Sequence, residues 1–209
     1  MITITNEDNM QLMARYEDNH FDLAIVDPPY GIGVDGNKEQ RWPGGSIKRK
    51  AHEIKGWDNA IPSAEYFSEL KRVSKNQIIW GGNYFTEYLK PTKAWVFWYK
   101  AQQGLTMSDG EMAWTSLKKV TRMFTLHRTY VWQEKPKHPT QKPVKLYKWL
   151  LDNYAEKGQK ILDTHLGSGS IALACHDYGF ELTACELDKE YYDNATRRLK
   201  EHQQQLTMF

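Results

Sequence analysis

Lys160-Ile161-Leu162-Asp163-Thr164-His165-Leu166-Gly167-Ser168-Gly169-Ser170 reads as a short apolar strand that breaks into a glycine turn. A helix is predicted behind it from Ile171 to Asp177, and Glu181-Leu182-Thr183-Ala184-Cys185-Glu186 is a second strand. Strand, turn, helix and strand form the unit from which parallel sheets are built. The two glycines let the backbone approach a ligand closely, and the amides that open the helix can bind polar groups. Glu186 ends the next strand, about 20 residues on, where an acid meets ribose hydroxyls. No Gly-Lys-Ser/Thr follows, so this is not a triphosphate-binding loop.

The same pattern recurs near the N-terminus. Phe21-Asp22-Leu23-Ala24-Ile25-Val26 is an apolar run that stops at Asp27-Pro28-Pro29-Tyr30. Two prolines cannot continue a strand's hydrogen-bond ladder, and each restricts the residue before it. The chain therefore leaves the sheet at Asp27 in a stiff turn. It presents a carboxylate, a proline carbonyl and an aromatic ring at the carboxyl end of a strand, where α/β sheets bind ligands. That set can accept two hydrogen bonds from an amino group while stacking on the ring that carries it.

Strands are expected at Ile2–Thr5, Gln77–Trp80, Ala94–Trp98 and, more weakly, Glu111–Trp114. Helices are expected through Leu12 and Met13, from Ser63 through Val73, from Tyr84 to Leu89, from Val144 to Tyr154, and from Tyr191 through Leu199. Alternating strands and helices imply an α/β fold with a mostly parallel sheet and helices on both faces. Residues 31–56 and 117–137, rich in basic and polar side chains, read as long loops within a single domain spanning 1–209.

A chain of 209 residues can bury a sizeable core. Its net charge of +2 is too small to argue for a nucleic-acid partner, so charge must be read locally. Two cysteines, Cys175 and Cys185, give no disulfide framework and point to a reducing cytoplasm. No signal peptide or long apolar span is visible, so neither export nor a membrane is expected. The seven histidines show no metal-ligand spacing, and no metal is expected.

Together the two motifs resemble those of the amino-directed DNA methyltransferases, which use S-adenosylmethionine. That family carries Asp/Asn/Ser-Pro-Pro-aromatic as its target-base motif and a Phe-x-Gly-x-Gly-like loop as its cofactor motif. The target-base motif comes first here, which looks like the family's permuted beta group. His138-Pro139-Thr140-Gln141-Lys142-Pro143 is very similar to the segment that this group places before the cofactor loop. Asn6-Glu7-Asp8 is similar to the group's Gly-Asp after the first strand, without the glycine. His165 stands where the family usually has Phe.

The resemblance implies a Rossmann-like methyltransferase sheet with circularly permuted motif order. It implies methyl transfer to the N6 of a flipped adenine in DNA, catalysed by Asp27, Pro28, Pro29 and Tyr30. Cofactor contacts would fall to Asp8, Asp27, His138, Thr140, Lys142, Asp163, His165, Leu166, Gly167, Ser168, Gly169 and Glu186. Asp at position 27 favours adenine, because relatives acting on cytosine N4 mostly carry Ser there. Cytosine N4, an RNA amine, and a non-catalytic nucleic-acid- or clamp-binding role are the alternatives. A short chain leaves little room for a large target-recognition domain, so a short or relaxed recognition site is expected.

DNA is the expected macromolecular partner, in a bacterial or phage setting near the nucleoid. Lys38, Arg41, Trp42, Lys48, Arg49, Lys50 and Lys55 in the first loop are candidates to meet phosphates, as are Lys118, Lys119, Arg122, His127, Arg128, Lys135 and Lys137 in the second. Both loops are expected to flank the base site. Gln205-Leu206-Thr207-Met208-Phe209 is similar to peptides that bind bacterial sliding clamps, with two apolar anchors and a Gln to dock in a groove. A homodimer is a further open partner.

Overall fold

A computed structural model describes residues 1–34, 55–104, 108–127, 129–134 and 140–206. Lys38, Arg41, Trp42, Lys48, Arg49, Lys50, Arg128, Lys135, Lys137 and His138 lie outside the described residues, as does the tail beyond Leu206.

In chain order the elements are β1 (Ile2–Thr5), α1 (Asn9–Met13), β2 (Phe21–Val26), α2 (Ala64–Val73), β3 (Ser74–Trp80), β4 (Trp95–Tyr99), β5 (Gly110–Thr115) and β6 (Arg122–Thr125). There follow α3 (Thr129–Gln133), α4 (Val144–Tyr154), β7 (Lys160–Asp163), α5 (Ser170–Tyr178), β8 (Glu181–Cys185) and α6 (Lys189–Leu206). The strands form one sheet in the order β1-β8-β7-β2-β3-β5-β4-β6. All pair parallel except β5, which is antiparallel to both its neighbours.

Why the strands read as continuous apolar runs is clear from where alternate side chains go. On β2, Leu23 and Ile25 belong to one core while Ala24 and Val26 belong to the other. Ile78 and Trp80 part from Ile79 in the same way, as Ile161 does from Leu162. The first core is closed by Leu146, Leu150 and Leu151 of α4, Ile171 to Cys175 of α5, and Ala195 and Leu199 of α6. The second is closed by Leu12 and Met13 of α1 and by Tyr66, Phe67, Leu70 and Val73 of α2. Both faces are therefore buried, the condition under which parallel sheets persist. Cys175 and Cys185 are buried in opposite cores and pack as small apolar side chains.

Three local readings change. Tyr84 to Leu89 is no α-helix; a 3-10 turn at Gly82–Tyr84 follows Gly81, and turns continue the path. Residues 117–137 are not one loop, since β6 and α3 form within them. Gln205 and Leu206 belong to the end of α6 rather than to a separate tail. No helix among the described residues is long and apolar enough to cross a membrane.

Gly169 shows how the glycine turn is locked to the fold. Its φ is +76°, and a Cβ there would lie 3.0 Å from the Ala195 Cβ on α6. Gly169→Ala should therefore destabilise the protein by about 1–3 kcal/mol through backbone strain alone. An unfolding midpoint in urea equal to wild type would contradict that strain.

Candidate active site

Strand direction gathers the site. β2, β7 and β8 end at the same edge of the sheet, and β4 runs the same way. The antiparallel β5 begins at that edge. A cavity of about 1060 Å³ opens there. This is just above the roughly 300–1,000 Å³ typical for one small-molecule ligand, which leaves room for a cofactor and a base. Asp27, Pro28, Pro29, Tyr30, Thr140, Lys142, His165, Leu166, Gly167, Ser168 and Glu186 all line it. Residues some 160 positions apart in the chain thus meet around one space.

The Asp27 turn is held by its neighbours. Asp58, buried at 2% exposure, accepts the amides of Tyr30 (2.7 Å), Gly31 (2.8 Å) and Val34 (2.8 Å). The Tyr30 hydroxyl donates to Asp27 Oδ1 at 2.7 Å. Its ring stacks on Tyr84, with centroids 5.2 Å apart and planes 17° from parallel. Gly81 makes that position available: its φ is +70°, and a Cβ there would lie 2.2 Å from Tyr30 Cε1. Asp58 and Gly81 carried no signal in the sequence, because each acts through a contact made only in the folded chain.

The cofactor-like wall is knitted from amides. Glu186 Oε2 accepts the Gly167 amide at 2.8 Å, and Oε1 accepts the Asp188 amide at 2.9 Å. Each oxygen keeps further acceptor capacity. Asn6 donates to the carbonyls of Glu186 (2.8 Å) and Leu187 (3.0 Å), fastening the segment after β1 beside it. His165 sits between Asn9, whose Nδ2 meets Nε2 at 3.1 Å, and Thr164, whose hydroxyl meets Nδ1 at 3.0 Å. With Asn9 donating, the imidazole carries its proton on Nδ1. Burial lowers its pKa to about 3, so the ring is an uncharged aromatic surface at the position usually held by Phe.

Several expected residues lie elsewhere. Asp8 does not line the cavity. Its Oδ1 caps α1 by accepting the amides of Met10 (2.8 Å) and Gln11 (3.4 Å), while Glu7, Asn9 and Met10 face the space. Asp163 lies beneath the loop, 2% exposed, accepting the His165 amide at 2.9 Å. Gly169 faces α6 rather than the cavity. Lys55 lines the cavity but is engaged by Asp188 at 2.9 Å and Glu190 at 2.8 Å, so its charge is already matched.

Lys118, Lys119 and Arg122 do not flank the site. They lie between the end of antiparallel β5 and the start of β6, at the opposite edge of the sheet from Asp27. That is a strand's length away, roughly 15 Å. Sequence proximity to basic residues could not show which edge they would reach.

Lys142 departs from expectation most. Its side chain is 2% exposed, and Nζ donates to Asp27 Oδ2 at 2.5 Å and to the Tyr30 hydroxyl at 3.1 Å. A second carboxylate, Glu111 of β5, lies 3.0 Å from the same Nζ, and Lys100 lies 2.5 Å from Glu111. Burial raises the Asp27 pKa, with Lys142 offsetting part of the rise. Burial opposes ionisation of Glu111 as well, but Lys142 and Lys100 outweigh it and hold that carboxyl down at about 2.

Two outcomes follow from this geometry. Gly81→Ala should displace the Tyr30 ring and cost at least about 2 kcal/mol in chemical denaturation; an unchanged midpoint would remove Gly81 as the seat of that ring. Burial pushes Asp163 up to about 8, whereas an unfolded Asp ionises near 4. The folded state therefore favours the protonated acid, and wild type should lose stability as pH rises from about 4 through 8. Asp163→Asn retains an acceptor for the His165 amide and lacks this loss. Urea midpoints at pH 5 and pH 9 should show the variant gaining on wild type, and a constant gap would refute the assignment.

Comparison with known proteins identifies the family. A family model described as DNA methylase, of the N6/N4 methyltransferase type, matches residues 66–197, more than half of the chain. The Type II methyltransferase M.HpaI of Haemophilus parainfluenzae is 24% identical over 235 aligned residues, covering 91% of this chain and 71% of its own. The M1.HpyAVI–SAM complex superposes with a TM-score of 0.63 at 19% identity, over 95% of this chain and 99% of that one. The cytosine-N4-specific PvuII DNA methyltransferase gives 0.59 at 11%, over 96% and 92%. At such identities the two structures show a common fold, and the family match adds the lineage: this chain belongs to the N6/N4 DNA methylase family.

Proposed function

We propose that this protein transfers a methyl group from S-adenosylmethionine to the exocyclic N6 of an adenine in DNA. The observation that carries the reading is the convergence of the Asp27–Tyr30 turn and the Gly167–Glu186 wall on one cavity. The donor set suits that cofactor. Glu186 offers a carboxylate with spare lone pairs to ribose hydroxyls, and the glycine loop carries no lysine for phosphates. Leu166, Gly167 and Ser168 would border the nucleoside, with Thr140 and the neutral His165 nearby. S-adenosylmethionine supplies an electrophilic methyl group on a positively charged sulfur.

An exocyclic amine is a poor nucleophile because its lone pair is delocalised into the ring. Asp27 and the Pro28 carbonyl would accept hydrogen bonds from the two amino N–H groups and concentrate the lone pair on nitrogen. Tyr30, braced by Tyr84 and Gly81, would hold the extruded base by stacking. Alignment of the amine supplies much of the remaining acceleration. No covalent intermediate is needed. The amino proton becomes acidic as the new N–C bond forms, and Asp27 would receive it.

Asp at position 27 supports adenine as the target. Nucleoside mass spectrometry of unmethylated DNA after incubation with enzyme and cofactor should reveal N6-methyladenine. N4-methylcytosine alone would overturn the base assignment, and methylation of competing RNA alone would overturn the substrate class. Asp27→Ala should lower methyl transfer by at least about 10²-fold while cofactor affinity, read by calorimetry, stays within a few-fold. Turnover at the wild-type rate would remove Asp27 from the mechanism.

A further inference from the structure

Lys142 stands between two acids. Its Nζ is 2.5 Å from Asp27 and 3.0 Å from Glu111, and Lys100 closes the far end at 2.5 Å from Glu111. The four charges alternate along a line that runs from the hairpin between β4 and β5 to the end of β2. All four side chains line the cavity. Lysine and the carboxylates balance in pairs, as a largely buried set of charges must.

An ammonium has three donors and no acceptor. Lys142 gives one donor to Asp27 and one to the Tyr30 hydroxyl; without Glu111 the remaining donor would be free to turn onto Asp27 and occupy a second of its lone pairs. Glu111 draws part of the ammonium away. Tyr30 takes one lone pair on Oδ1 and Lys142 takes one on Oδ2, out of about four on the carboxylate. Acceptor capacity on Asp27 therefore remains for an amino group.

We propose that Glu111, backed by Lys100, is a positioning residue that shares Lys142 with Asp27, so that the ammonium supports the charge on Asp27 without filling the lone pairs that the target amine requires. The proposal rests on the reading of Asp27 as the amine's acceptor. Glu111 touches no reacting atom; it acts through Lys142.

Other groups surround Asp27. Tyr30 belongs to its own turn, Asp163 to β7, Tyr66 to α2 and Tyr147 to α4, and each of the last three feels the Asp27 charge. Tyr66 and Tyr147 are neutral phenols whose ionisation burial suppresses. Asp163 is an acid pushed upward by burial. None of these is a cation; Lys142 is the positive charge that acts on Asp27, and Lys100 acts on Glu111.

The test reads Asp27 directly and does not depend on turnover. Protein labelled with ¹³C at aspartate and glutamate carboxyls is titrated by NMR, with the Asp27 resonance identified by its loss in Asp27→Asn. Lys142→Met should move the Asp27 midpoint upward by about one pH unit or more, and Lys142→Arg should leave it near wild type. Glu111→Gln removes a neighbouring negative charge and should move the midpoint downward, whereas Lys100→Met should move it upward by less than Lys142→Met. The acid limb of the methyl-transfer pH profile should shift in the same directions.

Opposite shifts for Lys142→Met and Glu111→Gln support the shared cation. Unchanged midpoints, or shifts of one sign for both, overturn it. If Lys142→Met fails to fold, Glu111→Gln and Lys100→Met still give opposing signs. Opposite midpoint shifts without any methyl transfer would uphold the shared cation and reject the enzymatic reading, so the two fail separately.

Discussion

Parallel strand register is the constraint on which this molecule depends. Ala24 lies opposite Leu162, Val26 opposite Ile79, and Asp163 opposite Ala184. Those pairings set the carboxyl ends of β3, β2, β7 and β8 at one level. Because a parallel sheet must be buried on both faces, helices occupy its sides and leave this edge as the place where polar groups can meet a ligand. Asp27, His165 and Glu186 reach the same cavity because the strands beneath them are held in step, not because they are near in sequence.

The antiparallel β5 adds a second consequence. A strand that enters at the ligand edge brings its first residues, rather than its last, to the site. Gly110 pairs with Tyr99, and Glu111 with Trp98. Glu111 and Lys100 therefore arrive beside Lys142 and Asp27. The same reversal carries Lys118, Lys119 and Arg122 to the far edge. One change of strand direction thus decides which charges serve the cavity and which do not.

Within the cavity the charges fall into two sets with different surroundings. Around Asp27 they are numerous and paired, so ionisation is governed by neighbours as much as by burial. Beneath the glycine loop, Asp163 has an amide for a partner and, among the described residues, no cation in contact, so burial dominates and the acid is held protonated near neutrality. Burial raises both of these aspartates at the ends of adjacent strands, and the ammonium in contact with Asp27 offsets part of the rise there. The neutral His165 between Asn9 and Thr164 continues the uncharged part of the wall.

Sequence alone determined the α/β class, most strand and helix positions, the Asp27–Tyr30 turn and the Gly167–Glu186 wall. These depend on local properties: apolar runs end abruptly, prolines cannot continue a ladder, and glycines open a turn. Only the tertiary structure decided that Asp8 caps a helix, that Lys118 to Arg122 lie on the wrong edge for the base site, and that Lys142 pairs with Asp27 and Glu111. Nothing in the spacing of positions 27, 111 and 142 encodes that meeting. It follows from strand order and direction, which are settled by how both faces of the sheet are covered, and such contacts between distant segments leave no period in the chain.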